Sequence, residues 1–329
     1  MDIPDSPGSR SRQQGAGFLA AVIGVTLWGV QLPIGKDAFA AIDAYHVTLI
    51  RYAVGALMLL VALALSEGFA ALRYNGRGLQ TGVIGLVGMC ISPILTFIGM
   101  SLSRAEHTVV IVTLQPMITV IAQWFINGRR PARFTLACIG VAFTGVVLVV
   151  TRGQLAMSET GRELMGDLLA LGGAACWVFY TMSISRLAGW SALRVTALTL
   201  IPGALGTALF TTGMVIAGLS VTPSWEAVES VRWHLLYLAL GGVFLSMLAW
   251  IYGTQRIGPL NAALLVNFMP VVAFSVRAIQ GHPVEPVELA GAALVILSLV
   301  ANNLYLRWRA VSAREARVRP DVPGVDEVR

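Results

Sequence analysis

The chain has 329 residues, 56 % of them hydrophobic and only 12 % charged, with a formal net charge of +6. A water-soluble domain carries about 25 % charged residues, so the composition excludes a soluble multidomain enzyme. The positive charge is scattered between apolar runs and forms no nucleic-acid-binding surface.

In chain order, the polar start "MDIPDSPGSRSRQQGAG" reads as a short disordered tail over 1–16. It lacks the short apolar stretch and small-residue cleavage site of a secretory signal. Ten apolar runs follow, each about 20 residues long, the length that spans a bilayer core. They fall at 17–38, 44–65, 79–101, 105–126, 133–151, 165–187, 193–218, 233–254, 259–280 and 286–307. The longest connections, 152–164 and 219–232, carry Glu159, Glu163, Glu226 and Glu229, and residues 308–329 form a second solvated tail. With the N-terminus inside, 16 Lys and Arg residues fall on the inner side and 7 on the outer side, which predicts both termini in the cytoplasm of a bacterial-type inner membrane. Cys90, Cys138 and Cys176 lie inside apolar runs without CxxC spacing and read as small buried hydrophobes.

The first span contains "LWGVQLPIGK". On an ideal helix Gly24, Trp28, Gln31 and Gly35 share one face, which serves either a solute cavity or close helix packing. Pro33 cannot donate a backbone N–H and frees the carbonyl of Gly29, favouring a bend. Lys36 and Arg51 are cations near the expected outer ends of spans one and two. They suit a solute carboxylate at the entrance and in the site, or else they snorkel toward headgroups. Gln115 directly before Pro116 in span four, and Asn267 three residues before Pro270 in span nine, place a polar side chain near a proline that either gates or statically kinks its helix. Trp177 and Tyr180 in span six, Trp250 in span eight, and the pair Gln123 and Arg277 complete the cavity candidates. His46 and His107 lie near the expected outer surface, where solvation is the ordinary fate.

The chain also repeats itself. "GFLAAVIGVTLWGVQLPIGK" lies over "GDLLALGGAACWVFYTMSIS" at an offset of 149, pairing Gly24 with Gly173, Trp28 with Trp177 and Gln31 with Tyr180. Spans three to four match spans eight to nine at an offset of 154, pairing Ser92 with Ser246, Gly99 with Gly253 and Pro116 with Pro270. Five spans per half is odd, so the halves enter the membrane from opposite sides. The expected fold is therefore all-α: ten transmembrane helices as two inverted five-helix repeats, 17–151 and 165–307, around a central cavity.

These segments resemble the EamA family of the drug/metabolite transporter superfamily. "LWGVQLPIGK" is similar to that family's first-helix pattern of Trp-Gly with a Lys eight residues after the Trp. "LIRYAVGALML" resembles its second-helix Arg-aromatic pattern. "TVVIVTLQPMITVIAQWFINGRRP" and "RIGPLNAALLVNFMPVVAFSV" resemble its paired fourth- and ninth-helix segments. The family's Gly-Glu after those helices is replaced by Gly128-Arg129 and Gly281-His282. The resemblance implies a carrier of a small organic solute, an amino acid or related metabolite, with export as the direction. A multidrug exporter of lipophilic cations is the alternative. Asp and Glu are missing from the central part of every span, and so is the first-helix Glu that small multidrug exporters of the superfamily use for proton exchange. Uniport or exchange is therefore expected. No cofactor, metal or nucleic acid is expected. The expected partners are a solute and the bilayer, and a monomer suffices. No nucleophile–base pair or metal-ligand pattern indicates an intramembrane enzyme.

Overall fold

The structure is a computed structural model that describes residues 7–128, 130–151, 161–187, 189–257, 265–282 and 284–318, and among these every regular element is a helix. They are α1 Pro7–Ala38, α2 Ala44–Glu67, α3 Gly78–Leu102, α4 Ala105–Val112, α5 Gln115–Asn127 and α6 Arg133–Thr151. After the 152–160 connection come α7 Gly161–Ser183, α8 Ala192–Ile216 and the short α9 Trp225–Ser230. The uninterrupted α10 is built from Arg232–Ala239, Leu240–Leu245 and Ser246–Ile257, and is followed by α11 Met269–Ile279 and α12 Pro286–Val318.

Eight of the described helices are long and apolar enough to cross a membrane. Counting α4 and α5 as one span bent by 42° makes nine. The ninth expected run, 259–280, appears as the eleven-residue α11, and 258–264 lies outside the described residues. Both ends of the bundle differ from the expected boundaries. α1 starts at Pro7, where a proline at the first helical position loses no hydrogen bond. α12 runs on to Val318 because Ala, Arg and Glu are good helix formers and the next breaker is Pro320.

The bundle is held by crossings in which small residues bring backbones together. A Cβ on Gly24 would lie 3.0 Å from the Ser246 carbonyl of α10, and one on Gly173 would lie 2.8 Å from the Ser92 carbonyl of α3. So α1 crosses α10 where Gly24 meets Ser246, and α7 crosses α3 where Gly173 meets Ser92. These are the residue pairs that the two sequence offsets equate. α6 and α12 cross at Gly145 and Gly291, where a Cβ on either would sit 2.6 Å from the other's carbonyl oxygen. Close approach of this kind is how helices associate when lipid removes the hydrophobic drive between them.

Two buried apolar clusters result. One joins α1, α4, α6, α11 and α12 through Val25, Val109, Val149, Phe274 and Val295. The other joins α2, α3, α7, α8 and α10 through Leu59, Met89, Tyr180, Leu198 and Val243. Trp28 packs against both.

Two π-helical turns interrupt the long helices, Val87–Ile91 in α3 and Leu240–Leu245 in α10. Each ends immediately before the serine of a crossing, Ser92 or Ser246. A π turn inserts one residue and rotates the following face.

Candidate functional site

Trp28 and Gln31 lie one turn apart on α1, both half-buried. The Trp28 ring tilts against Trp250 of α10, centroids 5.3 Å apart. The Gln31 side chain reaches across to α2, where its Oε1 accepts a hydrogen bond from Arg51 Nη1 at 3.1 Å. Arg51 is only 3 % exposed. Its guanidinium lies over the Phe97 ring of α3 at 3.9 Å and the Tyr52 ring at 4.6 Å. Its Nε is buried without a hydrogen-bond partner, and among the described residues no carboxylate pairs with it. A cation at membrane depth ordinarily finds a counter-charge or a wet cavity. This one has an amide and two aromatic faces.

In the second half of the chain, Tyr180 is 5 % exposed and its ring packs against Trp177 with centroids 5.1 Å apart. Its hydroxyl lies 3.3 Å from Thr199 Oγ1 of α8. The π turns bear on both Tyr180 and Gln31. An added Cβ on Gly88 would fall 2.4 Å from the Tyr180 side chain, and one on Gly242 would fall 2.6 Å from Gln31 Oε1. Gln31 and Tyr180 therefore each rest on a glycine of a π turn in the opposite half.

The remaining candidates go elsewhere. Asn267 is buried, but it faces a lateral cleft with Phe18 and Val22. Gln115 is half-buried as the first residue of α5, directly after the bend. Pro33 is buried inside α1, which continues unbroken to Ala38. Pro116 and Pro270 are the second residues of α5 and α11, each just after a turn. There they open a new helix, where the missing N–H leaves no bond unmade. Lys36 donates to the carbonyls of Met100 at 2.6 Å, Ser101 at 3.2 Å and Ser103. Its ammonium caps the C-terminus of α3, where a cation meets the negative end of the helix dipole.

A polar layer at the same end of the bundle was not foreseen. Arg277 of α11 binds Glu106 of α4 at 3.1 Å and Asp37 of α1 at 3.0 Å, and Gln280 binds Asp37 at 2.6 Å. Arg104 contacts Glu106 at 3.8 Å and pairs with Glu288 of α12. Glu106 and Glu288 are 1 % and 0 % exposed. Arg277 is one of the cavity candidates, but its acidic partners read as ordinary helix-end residues.

The two histidines correct the expectation of solvation. His107 is 0 % exposed and its Nδ1 lies 3.2 Å from Asp167, which also accepts from Ser103 Oγ at 2.6 Å. His46 is 7 % exposed against Asp43, which Ser220 also reaches. Burial works against ionisation of Asp43. Hydrogen bonds from Ser220 and from the backbone and ring of His46 outweigh it and hold the carboxyl below its ordinary value.

The model of the EamA-like transporter family matches residues 15–151 and 164–304. The chain is 26 % identical to the "uncharacterized transporter YrdR" of Bacillus subtilis over 88 % of this chain and 92 % of the relative. It is also 26 % identical to the "uncharacterized transporter YyaM" of the same organism, covering 80 % and 86 %. An "uncharacterized transporter" of Archaeoglobus fulgidus is 22 % identical over 80 % of this chain and 90 % of its own. A protein of known crystal structure, 20 % identical, matches with a TM-score of 0.65 over 89 % of this chain and 98 % of that one, a likeness of fold.

Proposed function

Because the chain belongs to the EamA-like transporter family, we propose that it carries a small organic solute bearing a carboxylate, an amino acid or related metabolite, by alternating access. The observation that supports this is Arg51, a buried guanidinium without a carboxylate partner among the described residues. A solute carboxylate would supply the missing charge, with Gln31 as a second polar contact and Trp28, Trp250 and Trp177 as aromatic walls. A lipophilic cation would meet repulsion there, so the multidrug alternative is disfavoured.

In this reading the ten spans form two inverted five-helix repeats. The exchanged crossings of α1 with α10 and of α7 with α3 support that arrangement, and so do the π turns at equivalent places in both halves. Both termini lie in the cytoplasm of an inner-type membrane, export is the working direction, and transport is uniport or exchange. Pro116 and Pro270 mark helix breaks on which the halves pivot. Gln115 lies at one of these breaks.

The test is solute binding to the purified chain, followed by thermal stabilisation across amino acids, other carboxylates, nucleosides, sugars and cationic dyes. Arg51→Gln should weaken binding of the carboxylate hit by about 10- to 100-fold, the loss of one charge-assisted hydrogen-bonded contact. Arg51→Lys should retain part of it. Binding confined to cationic dyes, or unaffected by Arg51→Gln, would overturn the proposal.

A further inference from the structure

A cleft of about 420 Å³ opens on the outside of the bundle between α1, the turn leading into α11, and α12. Its size is within the range of small-molecule sites. Phe18 and Val22 of α1, Phe268 and Val271, and Ile296 of α12 line it. Phe18 on the spanning helix α1, Phe268 in the turn before α11 and Val271 on α11 are exposed apolar side chains at its mouth, a surface suited to acyl chains rather than water. Val22 precedes Gln31 by nine residues, about 13 Å along a helix. The α1 side of the cleft thus lies more than two helical turns from the residue that meets Arg51.

Among the described residues one polar side chain lines it. Asn267 is 3 % exposed, and neither its Nδ2 nor its Oδ1 has a hydrogen-bond partner. An asparagine beside a helix start commonly caps it, but α11 has no side-chain cap bond. A buried amide with both groups unmet is destabilising in a medium without water. Among the described residues no charged side chain lines the cleft, which favours a neutral ligand.

We propose that this cleft is a second binding site, entered from the bilayer, for a neutral amphipath with an apolar body and a terminal carboxamide. A carboxamide presents one donor and one acceptor side by side, the complement of the Asn267 side chain. An ester offers acceptors only and leaves Asn267 Oδ1 unmet. The site stands apart from the carrier reading, since binding here is measured without transport.

The experiment uses the full chain in phosphatidylcholine nanodiscs and a diazirine-bearing decanamide as photolabel, with label positions mapped by mass spectrometry. Labelling should map to α1 around Phe18 and Val22 and to residues 265–271. Decanamide should compete about tenfold better than methyl decanoate, the worth of one hydrogen bond. Asn267→Leu should abolish that preference. Ile296→Trp, which fills the cleft, should abolish labelling while thermal unfolding remains cooperative. Equal competition by amide and ester, or labelling unchanged in both variants, would overturn the site.

Discussion

At the scale of single residues, the environment of each charged side chain separates site from scaffold. Lys36 and Arg51 looked alike as cations near helix ends. Lys36 is saturated by the carbonyls of Met100, Ser101 and Ser103 around the end of α3, whereas Arg51 lies on Phe97 and Tyr52 with Nε unpaired. Phe97 carried no signal of its own, because an aromatic in an apolar run is indistinguishable from core until a guanidinium is laid over it. Asp43 is an anchor outside the spans. It accepts from His46 N at 2.8 Å and ties the start of α2 to Ser220 beyond α8. Its carboxyl is held below the ordinary 3.8. The unfolded chain therefore takes up the proton first as pH falls, and the stability Asp43 contributes is full above that value and lost as pH drops through the folded one. In detergent, Asp43→Asn should be less stable than the wild type at pH 6, and the gap should narrow toward pH 3. A gap constant with pH would mean the carboxylate's charge contributes nothing.

The helices were legible at the level of elements, and their irregularities were not. Length and apolarity mark the spans because both properties are local. The π turns of α3 and α10 fall within runs of ordinary apolar and glycine residues. A one-residue insertion in a helix leaves no periodic trace in so uniform a background. Yet those turns set where Gln31 and Tyr180 can lie. Gly88→Ala and Gly242→Ala should each lower stability by about 1–3 kcal/mol, the range for overpacking a close contact. Gly82→Ala in α3, with nothing within 4 Å of the added Cβ, should be neutral or slightly stabilising. Thermal unfolding of the three variants checks this. Equal behaviour of all three would mean the π-turn glycines do not hold Gln31 and Tyr180. The prolines teach the same lesson. Pro116 and Pro270 stand at the starts of helices after a turn, and Pro33 lies within an unbroken helix, though all three read alike as interruptions of an apolar run.

At the scale of the whole molecule, one end of the bundle is closed by buried ion pairs linking α1, α4, α11 and α12. Arg277 is central, because it reaches both Asp37 and Glu106. Arg277→Gln leaves Glu106 buried with Arg104 at 3.8 Å as its remaining cationic partner among the described residues and should cost about 3 kcal/mol. Adding Glu106→Gln should recover part of the loss, since paired residues are not additive. Strictly additive losses in thermal unfolding would show the pair to be uncoupled. The sequence by itself determined that this is a helical membrane protein, where most of its spans run, and which family it joins. Those properties reside in the apolarity of short stretches and in motifs contained within single helices. Only the tertiary structure decided which polar groups are satisfied. Lys36 meets Ser103, Arg277 meets Asp37 and Arg104 meets Glu288 across separations of 67, 240 and 184 residues. Whether a buried charge is paired, capped or left without a counter-charge depends on neighbours that chain order does not reveal.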